Sequence, residues 1–226
     1  MIHSFTSKVL EKKQITESVV QVSLSCPDKF RFNAGQFITL FIEKNGERKP
    51  RSYSILNPPS QKKIIDLCIK IVEGGYASEV FDTLSVGNEL EVKGPFGHFV
   101  YEECETDVWM LSAGTGVVPF YSMLKEFLPK SSRKFTLLFG VRTQKDLCYN
   151  DEFLELAEKY PHFTYKPVLS REEWDGLKGH VQDNLPEDVS NKIFYLCGLK
   201  ELVVETKELL VEKGVPADKI KSERYS

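Results

Sequence analysis

The string Ser112-Ala113-Gly114-Thr115-Gly116-Val117-Val118-Pro119 stands between an apolar run, DVWML, and PFYSMLKEFL, where Phe120, Met123, Leu124 and Phe127 recur at helical spacing. Glycines between a strand and a helix let a ligand approach the backbone, and the exposed N–H groups of a helix start favour a pyrophosphate. Pro119 suits the first helical turn, which needs no N–H there. The pattern is GxGxxP, and alone it is no more than an ordinary strand-to-helix turn can present. In the first half, Arg51-Ser52-Tyr53-Ser54 lies on a strand-like run, with side chains 51 and 53 facing one way and 52 and 54 the other. Gly74-Gly75-Tyr76-Ala77-Ser78 precedes a short helical stretch. An arginine and a helix N-terminus are independent ways of holding a pyrophosphate, and a tyrosine offers a flat face to an aromatic ring. Taken singly, the same strings also read as a strand that packs Tyr53 inward and a flexible turn with a cap. FGVR (139–142) carries Arg142 where dinucleotide-binding strands usually end in a ribose-binding acid. That arginine suits a 2′-phosphate, or it is a solvated charge.

The elements that must position these strings follow two rhythms. Up to about residue 100, short runs recur between turn signals. Val20, Val22 and Leu24 alternate with polar residues; then come 36–43, 51–56, 64–72, 89–94 and HFVY (98–101), with one helix predicted over 78–84. This rhythm implies a small antiparallel barrel. After about residue 104, strand-like runs at 107–113, 134–140, 163–169 and 193–198 alternate with helical stretches, among them 151–160 and 200–213. Gly214 takes the place of a helix C-cap glycine and Pro216 blocks continuation. Strand–helix alternation implies a parallel sheet with flanking helices, a Rossmann-like domain. The expected domains are therefore 1–103 and 104–226, joined through the charged stretch 102–106.

Composition excludes several classes. The 226 residues carry a net charge of −3, so no global basic field is present to hold nucleic acid. No run approaches the ~20 apolar residues of a membrane span, and the first residues do not read as a secretory leader. A cytoplasmic location is the resulting expectation. The five cysteines (26, 68, 104, 148, 197) form no CxxC, and the four histidines are scattered, so no metal site or iron–sulfur cluster is expected.

RSYS (51–54), LCIK (67–70), GGYAS (74–78), VGNELEVKGPFG (86–97), SAGTGVVP (112–119), FGVR (139–142), YLCG (195–198) and the final ERYS together resemble the ferredoxin–NADP⁺ reductase family, in order and over essentially the whole chain. The resemblance implies an N-terminal antiparallel Greek-key barrel for FAD, a C-terminal domain for NADPH or NADH, and an active site in the cleft between them. It assigns FAD to Arg51, Ser52, Tyr53, Ser54, Cys68, Ile69, Lys70, Gly75, Tyr76, Ala77 and Ser78. Arg51 would hold phosphate, Tyr53 would stack on the isoalloxazine, and Ser54 would lie near its N5. Gly114, Thr115, Gly116, Val117 and Pro119 would cradle the nicotinamide dinucleotide, with Cys197 and Gly198 bordering its ring. Ser54, Cys197, Glu223 and Tyr225 form the implied catalytic set, Tyr225 covering the flavin as a gate. Ser226 after the tyrosine departs from the family's ending and implies looser gating. Arg142, Ser170 and Arg171 are the implied 2′-phosphate contacts, but the family's accompanying lysine and tyrosine fall on His180 and Gln182, which leaves NADH against NADPH open.

Hydride transfer between two rings asks the protein to hold them aligned and dry, not to supply a strong acid or base. The expected acceptor is ferredoxin or flavodoxin. A reductase of free flavin or another small acceptor, a subunit of a larger complex and a nucleotide-sensing module remain alternatives. Lys44, Arg48, Lys49, Lys62 and Lys63 could form a basic docking patch or simply be solvated.

Overall fold

The computed structural model describes residues 1–225 and divides into two compact units. The first comprises Met1–Tyr101 together with Val118–Glu126; the second comprises Glu102–Val117 and Phe127–Ser226.

The first unit is a curled antiparallel sheet of β1 (His3–Thr16), β2 (Val19–Ser25), β3 (Phe37–Lys44), β4 (Glu47–Ser54), β5 (Ile64–Lys70) and β6 (Glu89–Phe96), in the order β4-β3-β6-β1-β2-β5. Its edges β4 and β5 meet through one bridge, Ile55 with Leu67, so the sheet curls almost closed. Helix α1 (Tyr76–Thr83) links β5 to β6, and β6 returns to lie between β1 and β3, a Greek-key connection. Period-two alternation explains the curl: Ile38, Leu40 and Ile42 of β3, Val22 and Leu24 of β2 and Val92 of β6 share one apolar interior with Phe81 of α1. β1 left little trace in the sequence because only Ser7 and Val9 of its fourteen residues are buried. HFVY (98–101) is a correction: it forms no strand. Its apolar residues pack instead, Phe99 against Phe120 with ring centroids 5.8 Å apart.

Phe120 belongs to α2 (Val118–Phe127), whose Phe120, Met123 and Leu124 are fully buried. Ser122 Oγ donates to the carbonyl of Asn57 at 2.8 Å, and Ser60 N donates to Glu126 Oε2 at 3.1 Å. A division at a single chain position near 103 therefore separates α2 from residues it packs against.

The second unit is a six-stranded parallel sheet of β7 (Asp107–Ala113), β8 (Phe135–Val141), β9 (Phe163–Leu169), β10 (Leu177–Lys178), β11 (Lys192–Leu199) and β12 (Ile220–Tyr225), in the order β10-β9-β8-β7-β11-β12. Helices α3 (Asn150–Lys159) and α4 (Lys200–Glu212) flank it. β8 and β11 read as continuous apolar runs because both faces of a parallel sheet are covered. Strand order reverses at β7, with β8 on one side and β11 on the other. Ligands of open α/β sheets bind outside the carboxyl ends of the strands at such a reversal. The tail strand β12 pairs rung by rung with β11, from Phe194–Ile220 to Leu199–Tyr225. Its charged residues hide it from hydrophobic periodicity, as suits a sheet edge. Among the described residues no helix is long and apolar enough to cross a membrane.

Candidate active site

In the first unit, β4 puts Lys49, Arg51 and Tyr53 on one face by alternation, while Arg48, Pro50 and Ser52 face solvent. That face runs beside α1. The Arg51 guanidinium stands 5.7 Å and Lys49 Nζ 4.3 Å from the Tyr76 ring centroid, and the Tyr53 ring meets Phe81 edge-on at 5.5 Å. Tyr76 is fixed in turn by its hydroxyl, which donates to the Glu47 carbonyl at 2.6 Å. Helix α1 begins at Tyr76 with Gly75 as N-cap and no side-chain cap, so no capping side chain takes up the first N–H groups of a helix whose first residue lies beside these cations. Gly75 is required there, since a Cβ would lie 2.8 Å from Ser78 Oγ and 2.9 Å from the Val72 carbonyl. Ser78 Oγ accepts from Val72 N at 2.9 Å, folding the glycine turn onto the helix start.

Arg51, with Lys49 paired to Glu47 beside it, a helix N-terminus and a glycine-built turn fit the pyrophosphate of FAD. Burial pushes the Tyr53 phenol up to about 12, so it is a neutral, half-buried ring suited to a flat apolar ligand. Ser54 is buried at the end of β4. Cys68 and Ile69 are buried in edge strand β5, leaving only backbone for a ligand, whereas Lys70 is exposed. Lys49 was not in the predicted set; its signal was the two-residue spacing Lys49-Arg51-Tyr53 on one strand face.

In the second unit, Gly114–Val117 forms a tight 3-10 turn at the end of β7, the point where strand order reverses. It lies against the end of β11 so closely that a Cβ on Gly116 would come within 2.3 Å of the Cys197 carbonyl oxygen. Gly114 has φ +54. Val117 and Pro119 are buried and support the turn, while Gly114 and Thr115 stay partly exposed.

Ser112, Cys197 and Glu223 occupy one rung across β7, β11 and β12 and so share a sheet face. Cys197 is fully buried. Burial first, then the Glu223 carboxylate, hold its thiol well above the usual range, and the Tyr225 hydroxyl hydrogen-bonds it. Tyr225, the residue expected to gate the flavin, ends the paired strand β12 opposite Leu199, and its side chain hydrogen-bonds Cys197. Ser226 lies outside the described residues. Ser112 Oγ is buried without a hydrogen-bond partner among the described residues, a cost of ~1–3 kcal/mol that a polar group of a ligand or a water would remove. A close glycine turn and this orphan hydroxyl fit a nicotinamide dinucleotide.

At the ends of β8 and β9 the chain brings together Arg142, Ser170 and Arg171. Arg171 N donates to the Arg142 carbonyl at 2.9 Å, and Ser170 N to the Val141 carbonyl at 3.0 Å. Neither guanidinium has an ion-pair or hydrogen-bond partner among the described residues. Gln182, by contrast, is committed to Glu205, its Nε2 donating to Oε2 at 2.8 Å. The supposed docking patch is largely neutralised: Lys44 pairs with Glu79, Arg48 with Glu91, Lys49 with Glu47 and Lys63 with Asp28. Among the described residues no three His, Cys, Asp or Glu side chains gather as a metal site.

Comparison with known proteins agrees with this division of labour. An oxidoreductase FAD-binding domain matches residues 6–101 and an oxidoreductase NAD-binding domain matches residues 110–208. The chain is 32% identical to ferredoxin–NADP reductase B of Sorangium cellulosum, over 98% of this chain and 97% of that one. It is 31% identical to the reductase subunit of an aromatic O-demethylase from an Amycolatopsis species, over 96% of this chain but 66% of that one. The structure of a ferredoxin NADP⁺ reductase from Neisseria gonorrhoeae with bound FAD and NADP superposes with a TM-score of 0.89 at 22% identity, over 98% of each chain. With both domain matches in order and one relative similar from end to end, the chain belongs to the ferredoxin–NADP reductase family and is an FAD-dependent NAD(P)H reductase.

Proposed function

We propose that the chain oxidises NADPH and passes the electrons through FAD to a separate carrier protein of the ferredoxin or flavodoxin class. The observation that carries the choice of NADPH is the pair Arg142 and Arg171. They come from different strands, adjoin through a backbone hydrogen bond, and have no anionic partner among the described residues. Two uncompensated guanidiniums beside the Ser170 hydroxyl suit a phosphate dianion, whereas a bare ribose would leave both unused. The acid next to Arg171 in sequence, Glu172, is spent on Gln144, accepting from its backbone N at 2.8 Å and its Nε2 at 2.6 Å.

FAD, when bound, supplies two-electron acceptance and one-electron delivery. Arg51, Lys49 and the start of α1 would grip its pyrophosphate, Tyr53 would flank its ring, and Ser54 would hydrogen-bond near its reactive nitrogen. Gly114–Gly116 would bind the nicotinamide half of the donor. The neutral Cys197 thiol and Ser112 would line the place where that ring sits, with Glu223 favouring positive charge there. None of these groups has to move a proton for a hydride to pass.

A carrier-protein acceptor is supported by the end-to-end similarity to a ferredoxin–NADP reductase. Relatives of which the chain spans only 50% to 66%, such as the reductase component of a phenol monooxygenase, favour a second reading in which the acceptor is an oxygenase partner. Five free cysteines suit a reducing compartment, consistent with the cytoplasm.

The test is anaerobic titration of the yellow protein. NADPH should bleach the flavin with a half-saturation ~100-fold below that of NADH, from two charge-assisted contacts of roughly 1.5 kcal/mol each. Equal half-saturation would remove the NADPH assignment. FAD lost on gel filtration would favour the free-flavin reading.

A further inference from the structure

The parallel sheet ends at β12, which pairs with β11 on one side and with no strand on the other among the described residues. Its outer edge therefore presents unpaired N–H and C=O groups that a further strand can extend. Beside that edge runs α4, and the two elements line an open groove of about 830 Å³. Val203, Val204 and Val211 make its apolar part, although Val204 and Val211 are 37% and 51% exposed. Val204, Lys207, Glu208 and Val211 recur at the three- and four-residue spacing that gathers side chains on one helix face. Alternation along β12 turns Ser222 and Arg224 toward the groove and Glu223 and Tyr225 away from it.

The charges around the groove are of both signs and unused. Lys207, Glu208, Glu212 and Arg224 have no ion-pair or hydrogen-bond partner among the described residues. Charged neighbours outside the groove are engaged, Glu205 with Gln182 and Lys221 with Glu102. A partner of one sign would leave half of this set facing like charge. A second copy of the chain, turned about a two-fold axis, can set cations against anions on both sides at once.

We propose that this face is the interface of a homodimer, in which β12 pairs antiparallel with β12 of a second copy and the two α4 faces meet across the strand pair. A two-fold axis perpendicular to the sheet makes the two strands antiparallel and keeps both helices on the same side of one continuous sheet. Lys207 of each copy then faces Glu208 of the other, and Val204 and Val211 leave water. The strand that carries Glu223 and Tyr225 gains a ladder on its second edge. One strand edge and one helix face make an interface at the small end of the specific range, ~1,200 Å² in total, so half-dissociation falls at roughly 10 μM. The inference depends on neither the nucleotide donor nor the electron acceptor.

The experiment is sedimentation velocity of the FAD-loaded full chain at low salt, from about 1 to 200 μM, where the mass should double with a midpoint of ~10 μM. Lys207→Glu, Glu208→Lys and Val211→Asp alter exposed positions of α4, so each variant should keep its flavin and its thermal midpoint. Each should raise the midpoint of dimerisation at least ~10-fold. Mixed in equal amounts, Lys207→Glu and Glu208→Lys should associate with each other more tightly than either does with itself, a rescue that only a self-complementary face gives. A parent that stays monomeric at ~200 μM would overturn the proposal. So would a dimer indifferent to all three substitutions, or a mixture no more associated than its components.

Discussion

Cys197 has no exposed surface, shares a rung with Ser112 and Glu223, and keeps its proton because burial and a nearby carboxylate oppose the thiolate. The sign is definite. An acid whose ionisation is raised by folding stays protonated in the native state, so the thiol remains neutral through ordinary working pH. It weakens the fold only above the pH where an unfolded thiol would ionise. Its role is then one of shape and hydrogen bonding. Cys197→Ala should slow hydride transfer ~10- to 100-fold by loosening ring placement while leaving FAD retention intact. Arg51→Ala should do the reverse, releasing FAD with a smaller effect on the rate of what remains loaded. Stopped-flow reduction and flavin dissociation measured on both variants check this, and small equal effects would remove the site assignment. The ratio of Cys197→Ser to parent rates should stay flat from about pH 6 to 8.5. A step within that window would show a thiolate at work.

Among the elements, two glycine turns do similar jobs in unrelated settings. Gly75 folds a loop onto the first turn of α1, and Gly116 lets the end of β7 close on the end of β11. A methyl at Gly116 meets a carbonyl oxygen of a central strand, which has nowhere to go in a fully bonded sheet. Gly116→Ala should therefore push the turn outward and raise the half-saturation for NADPH at least ~10-fold, with FAD content unchanged. Gly75→Ala meets the movable Ser78 hydroxyl as well as a carbonyl of an exposed turn, and should lower FAD affinity more mildly. Equilibrium binding of each ligand to each variant separates the two turns; a Gly116→Ala protein that binds NADPH normally would show that the close approach has no functional weight.

Over the whole molecule, the two compact units do not follow chain order. Helix α2 continues from the turn Gly114–Val117, yet its buried Phe120 and Met123 pack against Phe99 and Gly35 of the N-terminal unit. Gly35 shows how close that fit is, since a Cβ there would lie 2.4 Å from Met123 Cε. A fragment of residues 1–101 should accordingly bind a hydrophobic dye and lose FAD, although every strand of its sheet is present. Dye fluorescence and retained flavin measure this, and a stable yellow fragment would show that α2 is dispensable.

Local pattern was enough for what depends on neighbours in sequence. Period two announced β2, β3, β5 and β6, period 3.6 announced α2 and α4, and the glycine strings marked both turns, because side-chain direction and allowed φ are set within a few residues. β1 and β12 escaped because charged strands at little-buried or edge positions carry no hydrophobic signal, and HFVY misled because an apolar run records burial without saying against what. Tertiary structure alone put Lys49 beside Tyr76, Ser112 on a rung with Cys197 and Glu223, Arg142 beside Arg171, and the outer face of α4 beside edge strand β12. Each of those meetings depends on strand order and register, which are fixed by how whole faces bury, not by any short stretch of chain.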